Sequence, residues 1–239
     1  MPRDAAARPL AARPRAPEPA LRNADRTRAA ILAAATTEFA THGLGGARVD
    51  RIAVAAGTNK RMLYYYYGDK EGLYLAVLEA AYERIRSDEQ RLNLADLEPE
   101  AGMRALCAFT WQYFVAHPEF MSLLNTENLH RARYLRRSTK VRALNSPLVA
   151  MLSGLLERGS RRGVFRSDVD AVQLYISIAA LGYFYLGNAH TLSTIFGRNL
   201  LAPRARATRE AHVVDLVLRS LAPPARAGVA RRHGGHYAD

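Results

Sequence analysis

The stretch Arg48–Gly72, RVDRIAVAAGTNKRMLYYYYGDKEG, predicts two short helices joined by a tight turn and followed by the start of a third helix. Gly57 supplies the backbone freedom that the turn requires. Asn59 is placed to cap the second helix by accepting a backbone N–H group, and Asp69 is placed to cap the third. Two short helices joined by a glycine turn are typical of a helix-turn-helix unit, whose second helix enters the major groove of DNA.

The second helix, KRMLYYYY over residues 60–67, carries most of the side chains expected to contact DNA. Its first turn holds two cations that can reach base edges or phosphates, and tyrosine hydroxyls follow one turn later. We expect Leu63, Tyr64 and Tyr67 to pack inward; an alternative is that the whole tyrosine run packs in a core. The predicted DNA contacts are Arg48, Thr58, Asn59, Lys60, Arg61, Tyr65, Tyr66 and Lys70.

The run AGTNKRMLYYYYGDKEGL resembles the DNA-binding signature of the TetR family of transcriptional regulators, and the preceding segment LAAATTEFATHGLGGARVDRIAVAAG fits the same pattern. The resemblance is specific over residues 25–82. It implies an all-α fold, in which a three-helix DNA-binding domain precedes a larger helical domain that binds a small-molecule effector and forms a homodimer. It also implies a ligand-responsive regulator, by default a repressor, that binds a palindromic operator. The sequence departs from the family pattern at Ala47, which cannot cap a helix, and at Arg61 and Met62, where smaller residues are usual.

Composition is consistent with a polyanionic partner. The 239 residues carry a net charge of +12, and most of the excess lies within residues 1–24 and 198–239. Cys107 is the sole cysteine, so an internal disulfide is impossible and a reducing compartment is expected. Because the N-terminal residues lack the apolar stretch of a secretory signal, we expect a cytoplasmic protein.

The segment Ala171–Gly197 contains no Asp, Glu, Lys or Arg, and it is long enough to span a bilayer. Polar residues interrupt it at several points, among them Gln173, Asn188 and His190. We therefore predict a buried helix followed by a short one, and no membrane association.

The chain is expected to divide into four parts. These are a disordered basic arm over residues 1–23, a DNA-binding domain over 24–70, a helical effector-binding and dimerisation domain over 71–222, and a disordered tail over 223–239. The arm is expected to be a solubilising tail, with contact to DNA phosphates or the minor groove as the alternative. Within the larger domain, Ser146-Pro147 and Asp168 are expected to start helices.

A leucine stripe followed by the uncharged helix resembles the paired helices through which TetR-family proteins dimerise. A helix that is apolar all round must be buried on two opposite sides. One side is therefore expected to face the partner, and the other side its own chain. The interface residues expected from the resemblance are Leu148, Met151, Leu152, Leu155, Leu174, Ile178, Leu181 and Tyr185.

The resemblance also implies an effector cavity, and the sequence offers apolar residues for its wall and polar residues as anchors. The candidate residues are Met103, Trp111, Tyr113, Phe114, Phe120, Glu127, Asn128, His130, Tyr175 and Tyr183. Each aromatic side chain has core packing as its alternative. An aromatic or heterocyclic effector that forms hydrogen bonds is expected.

Catalysis is not expected, because the sequence has no phosphate-cradling glycine loop and no histidine pair at metal-binding spacing in its globular part. No cofactor or metal is predicted. Two rival functions remain open: a sequence-tolerant DNA-binding protein that uses its basic tails, and a helical dimer that binds a small molecule or protein without DNA.

Overall fold

The computed structural model describes residues 19–224. Within this range the chain forms ten α-helices and one 3₁₀ turn and contains no strand, which confirms the all-α fold class. The helices group into two compact units, of which the first ends at Tyr74 and the second begins at Leu75. Residues 1–18 and 225–239, which include most of the two predicted tails, lie outside the described residues.

The first unit contains α1 (Pro19–Gly46), α2 (Val49–Ala55), α3 (Lys60–Tyr67) and the first turn of α4 (Lys70–Gln90). A stripe of fully buried side chains on α1, which includes Ile31, Ala35 and Phe39, forms its core. The turn between α2 and α3 contains Gly57 at φ 62°, and Gly68 ends α3 at φ 77°. L-residues with a side chain rarely adopt this left-handed region, which explains both glycines.

The caps of this unit follow the sequence prediction. The Asn59 side chain accepts a hydrogen bond from the Met62 backbone N–H at 3.1 Å and thereby caps α3. Asp69 Oδ1 accepts one from the Gly72 backbone N–H at 2.7 Å at the start of α4. These bonds satisfy donors that have no partner within the helix. The structure confirms Asn59 and Asp69 as the predicted caps.

The second unit holds the rest of α4 and a helical bundle arranged around α5. Its elements are α5 (Pro99–Ala116), α6 (Pro118–Leu129), a 3₁₀ turn (Leu135–Arg137), α7 (Thr139–Arg161), α8 (Ala171–Gly187), α9 (Ala189–Phe196) and α10 (Pro203–Leu221). Helix α5 contacts α7, α8 and α10. Its Met103 and Leu106 are fully buried with Leu152 and Leu155 of α7. Burial of each such side chain contributes about 1.5–3 kcal/mol relative to exposure.

Two predicted helix starts are wrong. Helix α7 begins at Thr139, because the Ser138 hydroxyl accepts a hydrogen bond from the Val141 N–H at 3.1 Å, and the helix continues through Pro147. Helix α8 is capped by Asp170, whose Oδ1 accepts from the Gln173 N–H at 2.7 Å, rather than by Asp168. Helix α1 also begins earlier than expected, at Pro19, inside the range assigned to the arm.

The uncharged segment forms α8 and α9, as predicted, and α8 is apolar on two faces. One face is buried within the unit through Leu174 and Ile178, whereas Ile176 and Phe184 of the other face are 52% and 60% exposed. No helix among the described residues is both long enough and apolar enough to cross a membrane.

Candidate nucleic-acid interface and interior ligand site

The exposed face of α3 carries four side chains suited to DNA. Lys60, Arg61, Tyr64 and Tyr65 are all exposed, and their spacing of i, i+1, i+4 and i+5 places them on one side of the helix. Leu63 is 2% exposed and anchors the opposite side in the core. The helix therefore presents two cations and two phenolic hydroxyls together.

Tyr64 is the one residue of this face that sequence reasoning missed. It was expected to pack inward, but its side chain is 48% exposed. The signal was available, since Tyr64 lies one helical turn after Lys60 and so shares its face. Tyr66 is less exposed than Tyr65, because the Arg28 guanidinium lies 5.1 Å above its ring. The Tyr67 hydroxyl donates to the Arg28 carbonyl at 3.2 Å, so Tyr67 is held against α1.

Several of the other predicted DNA contacts have structural partners. Lys60 forms an ion pair with Asp50 of α2, and both groups are about half exposed. Lys70 Nζ donates to the Gly45 carbonyl at 3.4 Å, which places the lysine beside the α1–α2 turn. Asn59 uses its side chain as the α3 cap, and Thr58 lies partly buried in the turn before it.

Helix α2 is capped by a residue from α1. Arg48 is its N-cap position and provides no side-chain cap of its own. Instead, Glu38 Oε1 accepts hydrogen bonds from the Arg48 backbone N–H and from Arg51 Nε, both at 2.8 Å. The hydrogen bond from Arg51 holds the pKa of Glu38 below its ordinary value, and the Arg48 N–H lowers it further. No local sequence pattern predicts this cap, because Glu38 lies ten residues before Arg48.

Four of the predicted effector residues lie in or beside an aromatic cluster in the second unit. Tyr113, Phe114 and Phe120 are buried there, and Tyr183 packs on them. Phe114 and Met121 of this cluster also border a cavity of about 300 Å³, lined further by Asn125 and His190. That volume is at the lower end of the range for small-molecule sites. Tyr175 packs instead against the other core cluster of this unit, the one that contains Met103.

The remaining predicted effector residues lie elsewhere. Met103 belongs to the other core cluster, and Trp111 packs edge-on against Tyr185 with ring centroids 5.6 Å apart. Asn128 is exposed and donates to the Leu124 carbonyl, while His130 Nδ1 lies 2.7 Å from the Thr126 carbonyl oxygen. Both therefore complete the end of α6.

Buried charges mark the interior of the second unit, and sequence reasoning missed two of them. Arg86 and Glu89 of α4 form an ion pair and are 4% and 1% exposed. Arg86 Nη2 also donates to the Tyr175 hydroxyl at 2.8 Å. Burial raises the pKa of Glu89, although Arg86 opposes this, and burial raises the pKa of Tyr175 to about 12. Arg86 and Glu89 continue the buried apolar stripe of α4 that includes Leu78 and Ile85. Charged residues at such positions are the signal in the sequence for a buried ion pair.

Glu127, a predicted anchor, is 2% exposed at the end of α6. Its Oε1 accepts hydrogen bonds from the Tyr134 and Leu135 backbone N–H groups at 2.8 and 2.9 Å. These bonds secure a loop in which Arg131 and Ala132 both adopt positive φ, at 55° and 57°. Such backbone costs about 1–3 kcal/mol per residue and concentrates at functional sites.

Most of the predicted dimer residues are buried in the chain's own core. Leu152 and Leu155 are fully buried, and Leu148, Leu174 and Ile178 are 8% exposed or less. These five side chains therefore pack against their own chain. Met151, Leu181 and Tyr185 are partly buried.

Four exposed apolar residues lie on the other face of α8 and on α10. They are Val172, Ile176, Phe184 and Leu216, each at least 43% exposed. Further exposed apolar residues lie on α6 (Leu129) and on α9 (Ile195 and Phe196). Leu181, Phe184 and Leu216 line a groove of about 830 Å³ between the two helices. Among the described residues, no group of three or more His, Cys, Asp or Glu side chains could hold a metal ion.

Two family models match this chain, and together they cover most of the described residues. Residues 31–77 match the model of bacterial regulatory proteins of the tetR family, and residues 99–217 match the tetracyclin repressor-like C-terminal domain. The chain is 42% identical to the HTH-type transcriptional repressor NicS of Pseudomonas putida over 198 residues, which are 83% of this chain and 93% of that protein.

Solved structures share the fold. The transcriptional regulator SCO4942 from Streptomyces coelicolor has a TM-score of 0.62 at 26% identity, covering 82% of this chain and 98% of that one. The regulator FadR from Bacillus subtilis in complex with stearoyl-CoA has a TM-score of 0.60 at 14% identity, covering 81% of this chain and 99% of that one.

Proposed function

This chain belongs to the TetR family and is a transcriptional regulator, and we propose that it acts as a cytoplasmic repressor that binds a palindromic operator as a homodimer and responds to a small-molecule effector. The observation that carries the DNA-binding part is the exposed face of α3. Lys60, Arg61, Tyr64 and Tyr65 lie on one side of a capped helix whose other side is fixed in the core. Fixing a helix in this way lets its exposed donors read base edges with a defined register.

We assign different roles to these four side chains. Arg61 is exposed in the first turn and is the best candidate for bidentate contact with guanine. Tyr64 and Tyr65 present hydroxyls that suit phosphate oxygens. Lys60 is paired with Asp50, so we infer that it exchanges this carboxylate for a phosphate when DNA binds.

The proposed dimer forms through the exposed face of α8 and α10. Val172 and Ile176 are one turn apart, and Phe184 and Leu216 border the groove between the helices. A charge-free helix with exposed large apolar residues along one face is unfavourable in water, and a second copy of the same surface would cover it. Leu174 and Ile178, on the opposite face of α8, anchor the helix in the core of its own chain.

The proposed effector site lies at the aromatic cluster of the second unit. Phe114 and Phe120 form part of its wall, and the cavity of about 300 Å³ adjoins it. FadR of Bacillus subtilis, which has the same fold, is known in complex with stearoyl-CoA.

Selection of bound DNA from a random pool by the full-length protein tests the proposal. We expect an inverted repeat whose half-sites lie about one helical turn apart. Arg61→Ala should weaken binding to the selected sequence far more than binding to random DNA. Recovery without any sequence preference would refute the operator model and favour the rival in which the basic tails bind DNA. Absence of DNA binding would favour the DNA-independent rival.

A further inference from the structure

A concentrated positive charge marks the connection between α6 and α7 and the first turn of α7. Residues 25–197 hold 21 basic and 17 acidic residues, and six of the basic ones but none of the acidic ones lie within residues 128–156. We call residues 131–142 the basic segment, because they contain all six, each of them exposed: Arg131, Arg133, Arg136, Arg137, Lys140 and Arg142. Over the rest of residues 25–197, acidic residues outnumber basic ones.

The basic segment is anchored to the fold and is not a solvated tail. Glu127 Oε1 accepts hydrogen bonds from the backbone N–H groups of Tyr134 and Leu135. Tyr134 and Ser138 are both buried, and the Ser138 hydroxyl donates to Glu79 of α4 at 2.6 Å. Buried residues thus alternate with the exposed cations, so the cations extend from a backbone that is held in place.

Neutral groups orient some of these cations. Arg136 Nη2 donates to the Arg131 carbonyl oxygen at 2.7 Å, and the Arg133 guanidinium lies 5.6 Å from the centroid of the Tyr134 ring. A carbonyl group or a ring orients a guanidinium without cancelling its charge. Lys140 differs, because it forms an ion pair with a glutamate of α4. Arg131 adopts φ 55°, so the loop keeps an unfavourable backbone where it presents these side chains.

A polyanion that carries phosphates fits this surface. Arginine binds phosphate oxygens through parallel hydrogen bonds, and DNA offers one negative charge per about 1.7 Å of its axis. Membranes also present phosphates, but amphipathic segments that bind them insert apolar residues. Tyr134 and Val141 of the basic segment are instead buried in the chain's own core. Since the α3 face of this regulator already suits DNA, the surface favours DNA over lipid.

We propose that the basic segment is a second DNA-contacting surface, which binds phosphates and adds affinity without reading bases. This inference goes beyond the contacts proposed for α3, and it rests on the proposed DNA binding. Phosphate contacts carry no sequence information, so the segment raises the affinity for operator and for random duplexes by the same factor. Each neutralised phosphate releases counterions and contributes about 0.9 to the slope of log affinity against log salt concentration.

Fluorescence anisotropy with the full-length protein tests the proposal. The affinity for the selected operator and for a random duplex of equal length is measured over a range of potassium chloride concentrations. The double variant Arg131→Gln/Arg142→Gln removes two charges from each protomer. We expect its slope to be shallower than that of the wild type by between about 1 and 4, equally on both duplexes. The ratio of operator to random affinity should stay unchanged, in contrast to Arg61→Ala.

Two controls separate the charge of the segment from other effects. Arg104→Gln/Arg161→Gln removes exposed arginines from α5 and from the end of α7, and it should leave the slope at the wild-type value. Arg131→Lys/Arg142→Lys keeps both charges and should also keep the slope, because counterion release depends on charge. An unchanged slope in the glutamine variant, or an equal fall in either control, would overturn the inference.

Melting temperatures establish whether each variant is folded. If the double glutamine variant is unfolded, Arg142→Gln alone decides, because Arg142 lies within α7 and outside the left-handed loop. Its slope should fall by about 1 to 2, and a wild-type slope would overturn the inference. Vesicles of phosphatidylserine and phosphatidylcholine test the lipid alternative. Vesicle binding that the glutamine variant loses, with an unchanged slope on DNA, would assign the segment to membranes and overturn the inference.

Operator binding by the wild type separates failure of this inference from failure of the proposed function. If the wild type prefers the operator and the slope does not respond to the glutamine variant, the inference fails and the regulator model stands. If the wild type binds neither duplex at low salt, the proposed function itself fails. A slope that falls in the glutamine variant alone, with the operator preference retained, supports both.

Discussion

Glu38 should determine the stability of α2, because it provides the only side-chain cap that the structure shows at the start of that helix. Its Oε1 accepts from the Arg48 backbone N–H at 2.8 Å, and the same atom fixes Arg51. Replacing an N-cap acceptor by alanine costs about 1–2 kcal/mol. For a locally opening helix, that corresponds to roughly a 5- to 30-fold increase in the population of the open state.

Hydrogen exchange measures this population directly. In Glu38→Ala at neutral pH, the backbone amides of Val49–Ala55 should exchange about 5 to 30 times faster than in the wild type. Amides near Leu152 in the second unit should not change. Asp25→Ala, which removes an exposed acid from the same helix, is the control and should leave α2 protected. Equal protection of α2 in Glu38→Ala and the wild type would refute the assignment of Glu38 as the cap.

The same cap predicts a dependence on pH with a defined sign. The folded-state pKa of Glu38 is lower than its ordinary value of 4.5. A carboxyl group whose pKa is depressed by folding stabilises the folded state above its unfolded pKa, and this stability is lost as the pH falls through the folded pKa. Exchange of the α2 amides, corrected for its intrinsic pH dependence, should therefore accelerate below pH 4.5 in the wild type. Glu38→Ala should lack this additional acceleration.

Other substitutions test the surfaces of the two units. Tyr64→Phe should weaken binding to all DNA sequences by a similar factor, several-fold when measured by anisotropy, because a phosphate contact carries no sequence information. Tyr67→Phe should instead lower thermal stability, because the Tyr67 hydroxyl donates to the Arg28 carbonyl. Phe184→Glu should shift the proposed dimer to a monomer in sedimentation velocity, whereas Leu129→Glu, at a residue 82% exposed on α6, should not. Burial raises the pKa of Cys107 to about 12, so its thiol should react with disulfide reagents at pH 8 only after unfolding.

The first unit was predictable where its structure depends on neighbours in the chain. Asn59 caps α3 and Asp69 begins α4, as the sequence predicted, because a side-chain cap acts over three residues. Gly68 ends α3 for a similarly local reason. Glu38 could not be found in this way, since its hydrogen bonds join residues that only the packing of α1 against α2 brings together.

The second unit was less predictable, because similar patterns compete within it. Ser146-Pro147 has the composition of a helix start, but Ser138 caps α7 eight residues earlier and the helix continues through the proline. Similarly, the leucine stripe of α7 was assigned to a dimer, although a stripe with helical spacing indicates only that one face is buried. The structure shows that its own chain covers that face. On α8, by contrast, Ile176 and Phe184 are exposed, so this face is open to a partner. The sequence alone does not show which apolar residues are exposed.

Departures from regular packing are concentrated in the second unit, which argues for a functional cause. Pro147 lies within α7, two residues with side chains adopt positive φ after α6, and three buried side-chain atoms lack a hydrogen-bond partner. Each of these features costs about 1–3 kcal/mol or more. In the first unit, in contrast, Asn59 and Asp69 cap α3 and α4 by local rules, and Glu38 of α1 caps α2. The occurrence of these departures together is expected if the second unit exchanges between two packings that differ little in free energy.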